Sequence, residues 1–579
     1  MFEGVDVGFC GAAYTSTDPL QDRQEAINWY LEKDPQEYAK EPIAMLGAPG
    51  LSPLITTQVG PVRGLWPLPG GQTALCVTGN TLYVIRITAP ATSTSLPQFS
   101  ATSVGTLLTN SGPVCIRDNG VLQNGSGGYA LIVDGTNAYY YLLSGSPYAN
   151  TFTGGVQSGL PTITLPGTLP NGLIVASTPT LSDISGYIPG GTTILSVDTI
   201  GLTITMSANA TNTNAADSIT LTIPVFGRIT DAGFLGANRI AFIEGWLILN
   251  YPGTRTFYTT GPTPYQILFP GAFFALKDSS TDNLITLFEN SRELWLVGEK
   301  TSEVWYDSGG QNFAFSRIPG VGPQVGCSAV NSITRLGQSL VWLGKNEQGE
   351  NVVVATNQYA IERISNHAVE FAIGQYPVIN DAIGYAYQED GHAFYMLTFP
   401  TADITWSFDT TTSQWHKRAS WDSGMAQFHR HRSSAYMDFA DVRLVGDYQT
   451  GQIHWMSRTI FTDGSPTQVL RCLRRSPHIW RKATRERVFF SSLQVEFTPG
   501  VGLQSGQGQT PTAMLRFSDD AGFTWPYQNT VSIGKVGEYR NRAMWFLLGY
   551  ARDRIWELSF TDPVQRDIIG STAYLEAAA

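Results

Sequence analysis

The sequence predicts an all-β protein built around a β-propeller, and three observations support this prediction. Only 14% of the 579 residues are charged, whereas 12% are aromatic and 59 residues are glycine. Few charges with many glycines, threonines and aromatic residues are typical of short strands joined by tight turns. Apolar strand cores also recur about every fifty residues, and a period of 40 to 50 with about four strands per unit is the signature of a propeller blade.

The repeat is marked by a bulky residue at the centre of each strand core. Successive markers are about 49, 114, 49, 47, 53 and 49 residues apart. The seven markers are Tyr83, Ile132, Trp246, Trp295, Trp342, Tyr395 and Leu444. A blade cannot bury both faces alone, so blades stack around an axis. We predict about six blades between residues 64 and 464; seven blades, or unrelated hairpins in a sandwich, are the alternatives.

The linkers between the strand cores carry residue pairs that favour hairpin turns. These pairs are Asp134-Gly135, Pro252-Gly253, Gln348-Gly349 and Thr450-Gly451. A glycine in such a pair adopts the left-handed backbone conformation that a tight hairpin needs. The pairs therefore support the division of the repeat into short antiparallel strands.

The long spacing after Ile132 indicates an insertion at residues 151–224. This segment has three acidic residues and no Lys or Arg, and its apolar residues alternate with threonines. Regular alternation predicts strands, so we expect a small β-module that projects from a blade as a separate unit. A disordered threonine-rich loop is the alternative.

The remaining segments flank the propeller. We expect residues 64–150 and 225–464 to hold the blades, and residues 1–63 to pack with residues 465–579 in a β-rich, sandwich-like platform. A closed ring brings its first and last blades together, so both flanking segments emerge on the same side. Near Asp18-Pro19, the sequence is compatible with a short helix or with a strand.

Charge and cysteine usage exclude several classes of protein. The net charge is −11, which argues against a generic binder of nucleic acid. The five cysteines are far apart and form no CxxC motif, so we expect buried thiols and neither disulfides nor a zinc ribbon. The start of the chain lacks a basic segment typical of a signal peptide, and no apolar stretch is long enough to span a membrane.

A basic run begins after residue 470 and is opposed only by Glu486. Its cations are Arg471, Arg474, Arg475, Arg481, Lys482, Arg485 and Arg487. In an acidic protein, we interpret this run first as an interface with an acidic surface of a partner subunit. Contact with nucleic-acid phosphates, aided by His478 and Trp480, and a solvated surface are the alternatives.

Residues 518–525 match the Asp-box pattern S-x-D-x-G-x-T-W. Its defining residues are Ser518, Asp520, Gly522, Thr524 and Trp525. The motif closes a hairpin: the aspartate accepts amide hydrogens, the glycine takes a positive φ and the tryptophan packs beneath the turn. Asp-boxes occur in sialidase propellers, but the motif itself performs no chemistry.

No catalytic or cofactor motif is present in the sequence. His429 and His431 could form a pair of metal ligands on one strand face, but no third ligand is indicated, and a surface role is favoured. Scattered acidic residues do not define a glycosidase pair. The sequence therefore predicts a protein that is not an enzyme and needs no cofactor or metal.

The C-terminal stretch resembles the tail hub proteins of short-tailed bacteriophages, which are also called packaged-DNA stabilisation or tail nozzle proteins. The resemblance lies in residues 490–496, 500–502, 533–534, 537–539, 548–554 and 559–564, together with the Asp-box. The N-terminal residues 27–30, 49–51 and 62–64 are also similar to the opening of this family, although Leu31 stands where relatives often have proline. The resemblance is weakest at residues 151–224.

The resemblance implies a structural protein of the virion tail, assembled in the host cytoplasm. Six copies would form a tube below the head-to-tail adaptor, retain the packaged DNA, conduct it during ejection and anchor tail spikes or fibres. Other implied partners are a tail needle or plug and the genomic DNA, which would pass through the lumen without sequence specificity. No stable membrane insertion is implied. A propeller glycosidase or a glycan-binding adhesin acting on the host surface is the alternative function.

Overall fold

The structure is a computed structural model that describes residues 3–36, 40–92, 95–120, 128–261, 266–310, 313–346, 348–481 and 485–577. These residues form 49 strands and one short helix. No helix in these ranges is long and apolar enough to cross a membrane. The chain divides into two compact units. Unit 1 comprises Met1–Pro53, Arg363–Arg432 and His454–Ala579, and unit 2 comprises Leu54–Glu362 and Ser433–Ile453.

The strands follow one another at short intervals along the chain. The first twelve are β1 (Glu3–Asp6), β2 (Glu25–Ile27), β3 (Trp29–Lys33), β4 (Ile43–Gly47), β5 (Gly50–Thr56), β6 (Val62–Pro67), β7 (Thr73–Thr78), β8 (Thr81–Ala89), β9 (Gln98–Thr106), β10 (Cys115–Asp118), β11 (Tyr129–Val133) and β12 (Ala138–Leu142). The next seven are β13 (Tyr148–Val156), β14 (Thr162–Thr164), β15 (Thr180–Asp183), β16 (Thr192–Asp198), β17 (Thr203–Met206), β18 (Asn214–Ile223) and β19 (Phe226–Arg228).

The middle of the chain continues with short strands up to the helix. They are β20 (Ile240–Ile243), β21 (Trp246–Asn250), β22 (Thr256–Thr259), β23 (Phe274–Leu276), β24 (Leu284–Asn290), β25 (Glu293–Gly298), β26 (Ser302–Asp307), β27 (Phe315–Arg317), β28 (Gly326–Cys327), β29 (Thr334–Leu336), β30 (Ser339–Lys345), β31 (Asn351–Asn357) and β32 (Ala360–Arg363). The helix α1 (His367–Gly374) follows. Its first turn is capped by the Asn366 side chain, which accepts the amide hydrogen of Val369.

The last third of the chain is again made of strands. They are β33 (Ile383–Glu389), β34 (His392–Phe399), β35 (Ile404–Asp409), β36 (Gln414–Asp422), β37 (Gln427–Arg430), β38 (Ser433–Phe439), β39 (Val442–Asp447), β40 (Gln452–Ser457), β41 (Cys472–Arg475), β42 (Ile479–Trp480), β43 (Val488–Phe497), β44 (Thr512–Ser518), β45 (Asn529–Ser532), β46 (Ala543–Phe546), β47 (Tyr550–Ala551), β48 (Asp553–Phe560) and β49 (Ile568–Ala577).

Six antiparallel sheets are the blades of a β-propeller, which confirms the predicted fold class. From the first to the sixth blade, the strand orders are β6-β7-β8-β9, β10-β11-β12-β19, β20-β21-β22-β23, β24-β25-β26-β27, β28-β30-β31-β32 and β38-β39-β40-β5. Strand β29 pairs with β30 in the fifth blade. Strand β5, which precedes the first blade in the chain, lies at the edge of the sixth, so segments from both ends of the repeat build one sheet.

The sixth blade lies beside the first. The Ser434 hydroxyl donates a hydrogen bond to the carbonyl of Val62 at 2.5 Å. The amide of Thr57 donates to the carbonyl of Gly451 at 3.1 Å. The second to fifth blades follow one another along the chain between the first and the sixth. These two hydrogen bonds therefore close the row of six blades into a ring, as a propeller requires.

The marker residues identify the blades with two corrections. Ile132, Trp246, Trp295, Trp342 and Leu444 lie in the second strand of the strand order in successive blades, whereas Tyr83 lies in the third strand of the first blade. Tyr395 lies in β34, a strand of unit 1, so the expectation of a propeller continuous from residue 64 to residue 464 is wrong for this segment. An alternating apolar pattern indicates a buried strand, but it does not indicate which sheet the strand joins.

The hairpin residue pairs behave as the sequence indicates. The glycines of all four pairs have positive φ: 101° for Gly135, 75° for Gly253, 87° for Gly349 and 72° for Gly451. Asp134 also accepts hydrogen bonds from the amides of the turn, at 3.2 Å from Thr136 and 2.7 Å from Asn137. Local turn chemistry therefore sets these hairpins.

The inserted segment forms a closed barrel between the third and fourth strands of the second blade. Its strand order is β13-β14-β17-β16-β15-β18. The segment between β14 and β15 packs on the propeller: Ile174 bridges to Ile267, and the Ile267 amide donates to the Leu173 carbonyl at 3.0 Å. One hydrophobic cluster contains barrel residues such as Ile204 together with blade residues such as Tyr140. The barrel therefore shares its core with the propeller, which differs from the expected separate module.

Unit 1 is a β-sandwich. One sheet has the order β3-β4-β49-β43-β46, with β1 paired to β49 and β47 paired to β43. The other has the order β33-β34-β35-β36-β2-β41-β48-β44-β45, with β37 paired to β36 and β42 to β48. Their shared core includes Trp29 and Leu493 from the first sheet and Leu515, Trp556 and Phe560 from the second. The N-terminal segment after Asp18 forms strands β2 and β3 and no helix.

The five cysteines are unpaired thiols. Cys76, Cys115, Cys327 and Cys472 are buried, whereas Cys10 is partly exposed. Burial raises the pKa of Cys76 to about 12, which keeps this thiol protonated and unreactive at neutral pH.

Candidate functional site

The first part of the predicted basic run lies inside the larger sheet of unit 1. Strand β41 pairs with β2 on one side and with β48 on the other, both antiparallel. Side chains alternate between the two faces of a strand, so Arg474 and Arg475 point to opposite sides of the sheet. This alternation gives the two arginines different environments.

Arg474 is fully buried, which contradicts its prediction as an interface residue. Its guanidinium donates to the carbonyl oxygens of Phe9 at 2.8 Å, Gly8 at 3.0 Å and Gly11 at 3.0 Å. It also donates to the Gln24 side chain at 2.9 Å. The arginine thereby organises the N-terminal segment around the sandwich. Burial lowers its pKa to about 10, so it remains charged at neutral pH.

Arg475 stands at the centre of a ladder of alternating charges across five adjacent strands. We define the charge ladder as Lys417 on β36, Glu25 on β2, Arg475 on β41, Glu557 on β48 and Arg516 on β44. Successive contacts are 2.8 Å from Lys417 Nζ to Glu25 Oε1, 2.7 Å from Arg475 Nη1 to Glu25 Oε2, 2.7 Å from Arg475 Nε to Glu557 Oε2, and 2.5 Å from Arg516 Nε to Glu557 Oε1.

Aromatic rings cover both ends of the charge ladder. Lys417 lies 5.2 Å from the ring centre of Trp406. Arg475 and Arg516 each lie 5.2 Å from the ring centre of Trp525, the tryptophan of the Asp-box. These cation–π contacts favour the charged forms of the side chains and hold them over the sheet.

The cations of the ladder keep the Glu25 carboxylate ionised. Burial alone would raise the pKa of Glu25, but the nearby charges of Lys417 and Arg475 outweigh it and lower the pKa to about 2. The same pairing raises the pKa of Lys417 and of Arg475 against the opposing effect of burial. All three side chains are therefore charged across the physiological pH range.

The other members of the basic run are distributed differently. Arg471 stacks 4.1 Å from the ring centre of Trp421, within unit 1. Arg485 and Arg487 are exposed, and Arg485 lies 5.3 Å from the ring centre of Trp480. Arg481 is half-buried, and Lys482 lies outside the described residues. Among the described cations of the run, Arg485 and Arg487 are therefore the most exposed.

The Asp-box forms the turn between β44 and β45. Asp520 accepts hydrogen bonds from the Thr524 amide at 2.9 Å and the Thr524 hydroxyl at 2.6 Å. Ser518 accepts the Gly522 amide at 2.8 Å, and Gly522 has a φ of 82°. Trp525 donates its ring N–H to the Gly522 carbonyl at 3.0 Å. These hydrogen bonds stabilise the hairpin turn, which is a structural role.

The two histidines of the possible metal pair have separate environments. His429 Nδ1 lies 2.6 Å from Asp403 Oδ2 at the edge of the sheet. His431 follows the end of β37 and is buried. Within the described ranges, no group of three or more potential metal ligands occurs.

No signal in the sequence indicates that Glu25, Lys417, Glu557 and Arg516 belong to one site. They come from four strands separated by tens to hundreds of residues. None of them belongs to a recognisable motif, and no spacing in the sequence indicates which strands become neighbours. Only the basic run around Arg475 carried a detectable signal.

Two family models match the chain in succession. The first, described as the β-propeller of bacteriophage P22 Gp10, matches residues 202–461. The second, described as the β-sandwich of the same protein, matches residues 477–576. A comparison with curated protein sequences found no match.

Several solved structures are similar to this chain at low sequence identity. PorZ, a surface component of the type-IX secretion system of Porphyromonas gingivalis, aligns with 83% of this chain at 9% identity and a TM-score of 0.34, and the match spans 46% of PorZ. The Dos1 propeller and Saccharomyces cerevisiae Sqt1 each align with 70% of this chain at 9% identity and a TM-score of 0.31, over 95% and 98% of their lengths.

The two P22 Gp10 matches follow the order of the fold, with the propeller before the C-terminal part of the sandwich. The chain belongs to the bacteriophage P22 Gp10 family of phage tail hub and stabilisation proteins.

Proposed function

We propose that this protein is the subunit of a homohexameric tail tube below the head-to-tail adaptor. The tube retains the packaged DNA, conducts it during ejection and anchors tail spikes or fibres. The observation that carries the proposal is the match of both the propeller and the sandwich to the P22 Gp10 family. A structural role in the virion tail, with assembly in the host cytoplasm and without catalysis, is part of the same proposal.

Side-chain contacts at the centre of the propeller support a DNA channel that is formed by several copies of the chain and not by a single propeller. Arg117 of the second blade contacts Glu289 of the fourth blade, with 3.3 Å between Nε and Oε1. The same guanidinium lies 4.1 Å from the ring centre of Trp66 in the first blade. Side chains of blades that are not neighbours meet near the propeller axis. Because they meet there, a DNA duplex has no path through a single propeller, and a ring of copies would supply the channel.

The charge of the chain suits passage of DNA without binding. Each copy carries a net charge of −11. Proteins that hold DNA do so largely by neutralising phosphates with Lys and Arg, and release counterions in the process. An acidic tube repels phosphates instead, so the duplex slides without sequence-specific or strong electrostatic contacts.

The exposed part of the basic run provides a surface for assembly. Arg485 and Arg487 are exposed beside Trp480, whose side chain is partly exposed. Exposed arginines beside an aromatic residue are typical of interfaces, where arginine pairs with carboxylates. We place the adaptor or a neighbouring copy against this surface.

Electron microscopy of the purified protein and of the virion tests the proposal. We expect six-fold rings of the purified chain and density for the same ring below the connector of the virion. Trimeric particles at the tips of fibres would contradict the tube and favour an adhesin. Release of sugar from host polysaccharide by the purified protein would favour the glycosidase alternative.

A further inference from the structure

A cavity of about 170 Å³ lies on the face of the larger unit 1 sheet that carries the charge ladder. Ile27, Ala419 and Leu473 belong to one small apolar cluster with Phe428, and all four line the cavity. A space of this size equals the volume of about five or six waters. The cavity can therefore hold a small organic group with an apolar part.

Charged side chains form the other wall of the cavity. Lys417, Glu25 and Arg475 of the charge ladder line it, together with Asp403 and His429 from the opposite rim. Lys417 and Glu25 are 30% and 17% exposed, and Arg475 is 20% exposed. These groups are shielded by the surrounding strands but still open to a ligand from solvent.

Lys417 and Arg475 give this wall N–H groups beyond those that their ion pairs occupy. Each oxygen of Glu25 already accepts a contact, one from Lys417 and one from Arg475. Asp403 accepts the Arg430 amide at 3.0 Å and faces His429 at 2.6 Å. Lys417 has three N–H groups and contacts one carboxylate, and Arg475 has five N–H groups and contacts two. A negatively charged ligand that accepts hydrogen bonds therefore fits these N–H groups better than a ligand that donates them.

We propose that this cavity binds a carboxylate carried on a short apolar stem. The carboxylate would accept hydrogen bonds from Lys417 and Arg475, while the stem would lie on Ile27, Leu473 and Phe428. The apolar surface makes inorganic phosphate or sulfate a poorer fit, because these ions have no apolar part. The same chemistry belongs to a free organic acid and to a Glu or Asp side chain of another chain. This site is independent of the proposed tail tube.

Calorimetry with glutarate tests the binding, with glutaramide as the neutral analogue and inorganic phosphate as the anion without a stem. We expect the full-length protein to bind glutarate in preference to both. Ala419→Leu fills the cavity without removing a charge, and Lys417→Met removes a donor but keeps the stem against Trp406. Each substitution should weaken glutarate binding roughly tenfold or more.

Arg540→Gln is the control, because Arg540 is an exposed cation of unit 1 that neither belongs to the charge ladder nor lines the cavity. It should leave glutarate binding unchanged, and circular dichroism should show all three variants to be folded. Equal binding of glutarate and glutaramide, or equal binding by the wild type and Ala419→Leu, would overturn the proposal.

Oligomerisation distinguishes the two sources of the carboxylate. If Ala419→Leu loses glutarate binding but assembles like the wild type in sedimentation velocity, the natural ligand is a free organic acid. If the same variant also fails to assemble while Arg540→Gln assembles, the ligand is an acidic side chain of another copy. Both outcomes support the carboxylate site. Electron microscopy of the tail ring tests the proposed function separately.

Discussion

At the scale of single residues, the arginines of the basic run separate into structural and exposed groups. Arg474→Met should destabilise unit 1 by about 3 kcal/mol or more, because several buried carbonyl oxygens lose their charged donor. Arg485→Met, at an exposed position, should change stability by less than about 0.5 kcal/mol. Thermal unfolding of the two variants measures the difference, and equal melting temperatures would refute the structural role of Arg474.

His392 carries a pH-dependent contribution to the stability of unit 1. Its Nδ1 lies 2.8 Å from Asp409 Oδ2 and its Nε2 lies 2.7 Å from Glu32 Oε2. Burial lowers the pKa of this imidazole, but the two carboxylates outweigh burial and raise it above the usual 6.5. A raised pKa means that the stabilisation is complete below about pH 6.5 and is lost as the pH rises through the folded-state pKa.

We therefore expect His392→Gln to destabilise the protein more at pH 6 than at pH 9. The loss at the lower pH should be about 1.5 to 3 kcal/mol, the range for hydrogen bonds to charged groups. Chemical unfolding at a series of pH values measures it. His416→Gln is the comparison of opposite sign: burial lowers the pKa of His416 to about 3, so at pH 6 the folded protein keeps this side chain neutral while the unfolded chain partly protonates it. Its substitution should therefore cost less stability at pH 6 than at pH 9. A loss for His392→Gln that grows with pH would contradict the assignment.

At the scale of elements, the hairpin at Gly451 joins the sixth blade to the segment before the first. Gly451 has a φ of 72°, and a Cβ at this position would lie 1.8 Å from the Gln58 carbonyl oxygen. Gly451→Ala should therefore destabilise the propeller by about 2 to 4 kcal/mol, since both the conformation and the close contact oppose a side chain.

Gly253 is the matched position for this substitution. Its φ is 75°, but a Cβ there would have open space around it. Gly253→Ala should destabilise the propeller only through its unfavourable backbone conformation, by about 1 kcal/mol. Denaturant unfolding of both variants separates the two effects, and similar losses would show that the contact with Gln58 is unimportant.

The barrel and the propeller should unfold together because they share a core. Leu173 is fully buried in the segment that packs on Ile267. Leu173→Ala should reduce the stability of the propeller by about 2 to 5 kcal/mol, as truncation of a buried leucine leaves a cavity. Leu160, which follows β13 and is 45% exposed, is the control, and Leu160→Ala should change stability by less than about 0.5 kcal/mol. A separate early transition for the barrel in calorimetry would contradict a shared core.

At the scale of the whole molecule, assembly should depend on the exposed end of the basic run. Arg485→Glu with Arg487→Glu should leave the monomer folded and weaken ring formation, and added salt should weaken assembly of the wild type as well. Arg474 is unsuitable for this test because its substitution would unfold the sandwich. Analytical ultracentrifugation at two salt concentrations measures assembly, and unchanged rings in the double variant would remove this surface from the interface.

Features that depend on neighbouring residues could be predicted from the amino-acid sequence. Alternation and a period near fifty residues predicted strands and a propeller, and the turn pairs predicted positive φ at Gly135 and Gly451. Residues 518–525 predicted a hairpin turn, and short stretches of the C-terminal segment indicated the family. Strand propensity and turn conformation are local properties, so they can be read along the chain.

The pairing of distant strands could not be predicted from the sequence and is seen only in the folded protein. It placed Tyr395 in the sandwich, buried Arg474 among N-terminal carbonyl oxygens, and joined the barrel to the core of the propeller. It also aligned Glu25, Arg475 and Glu557 in one ladder. The physical reason is that a strand's pattern specifies a buried face but not its partner. Partners are selected by packing between segments hundreds of residues apart, and no local spacing records that choice.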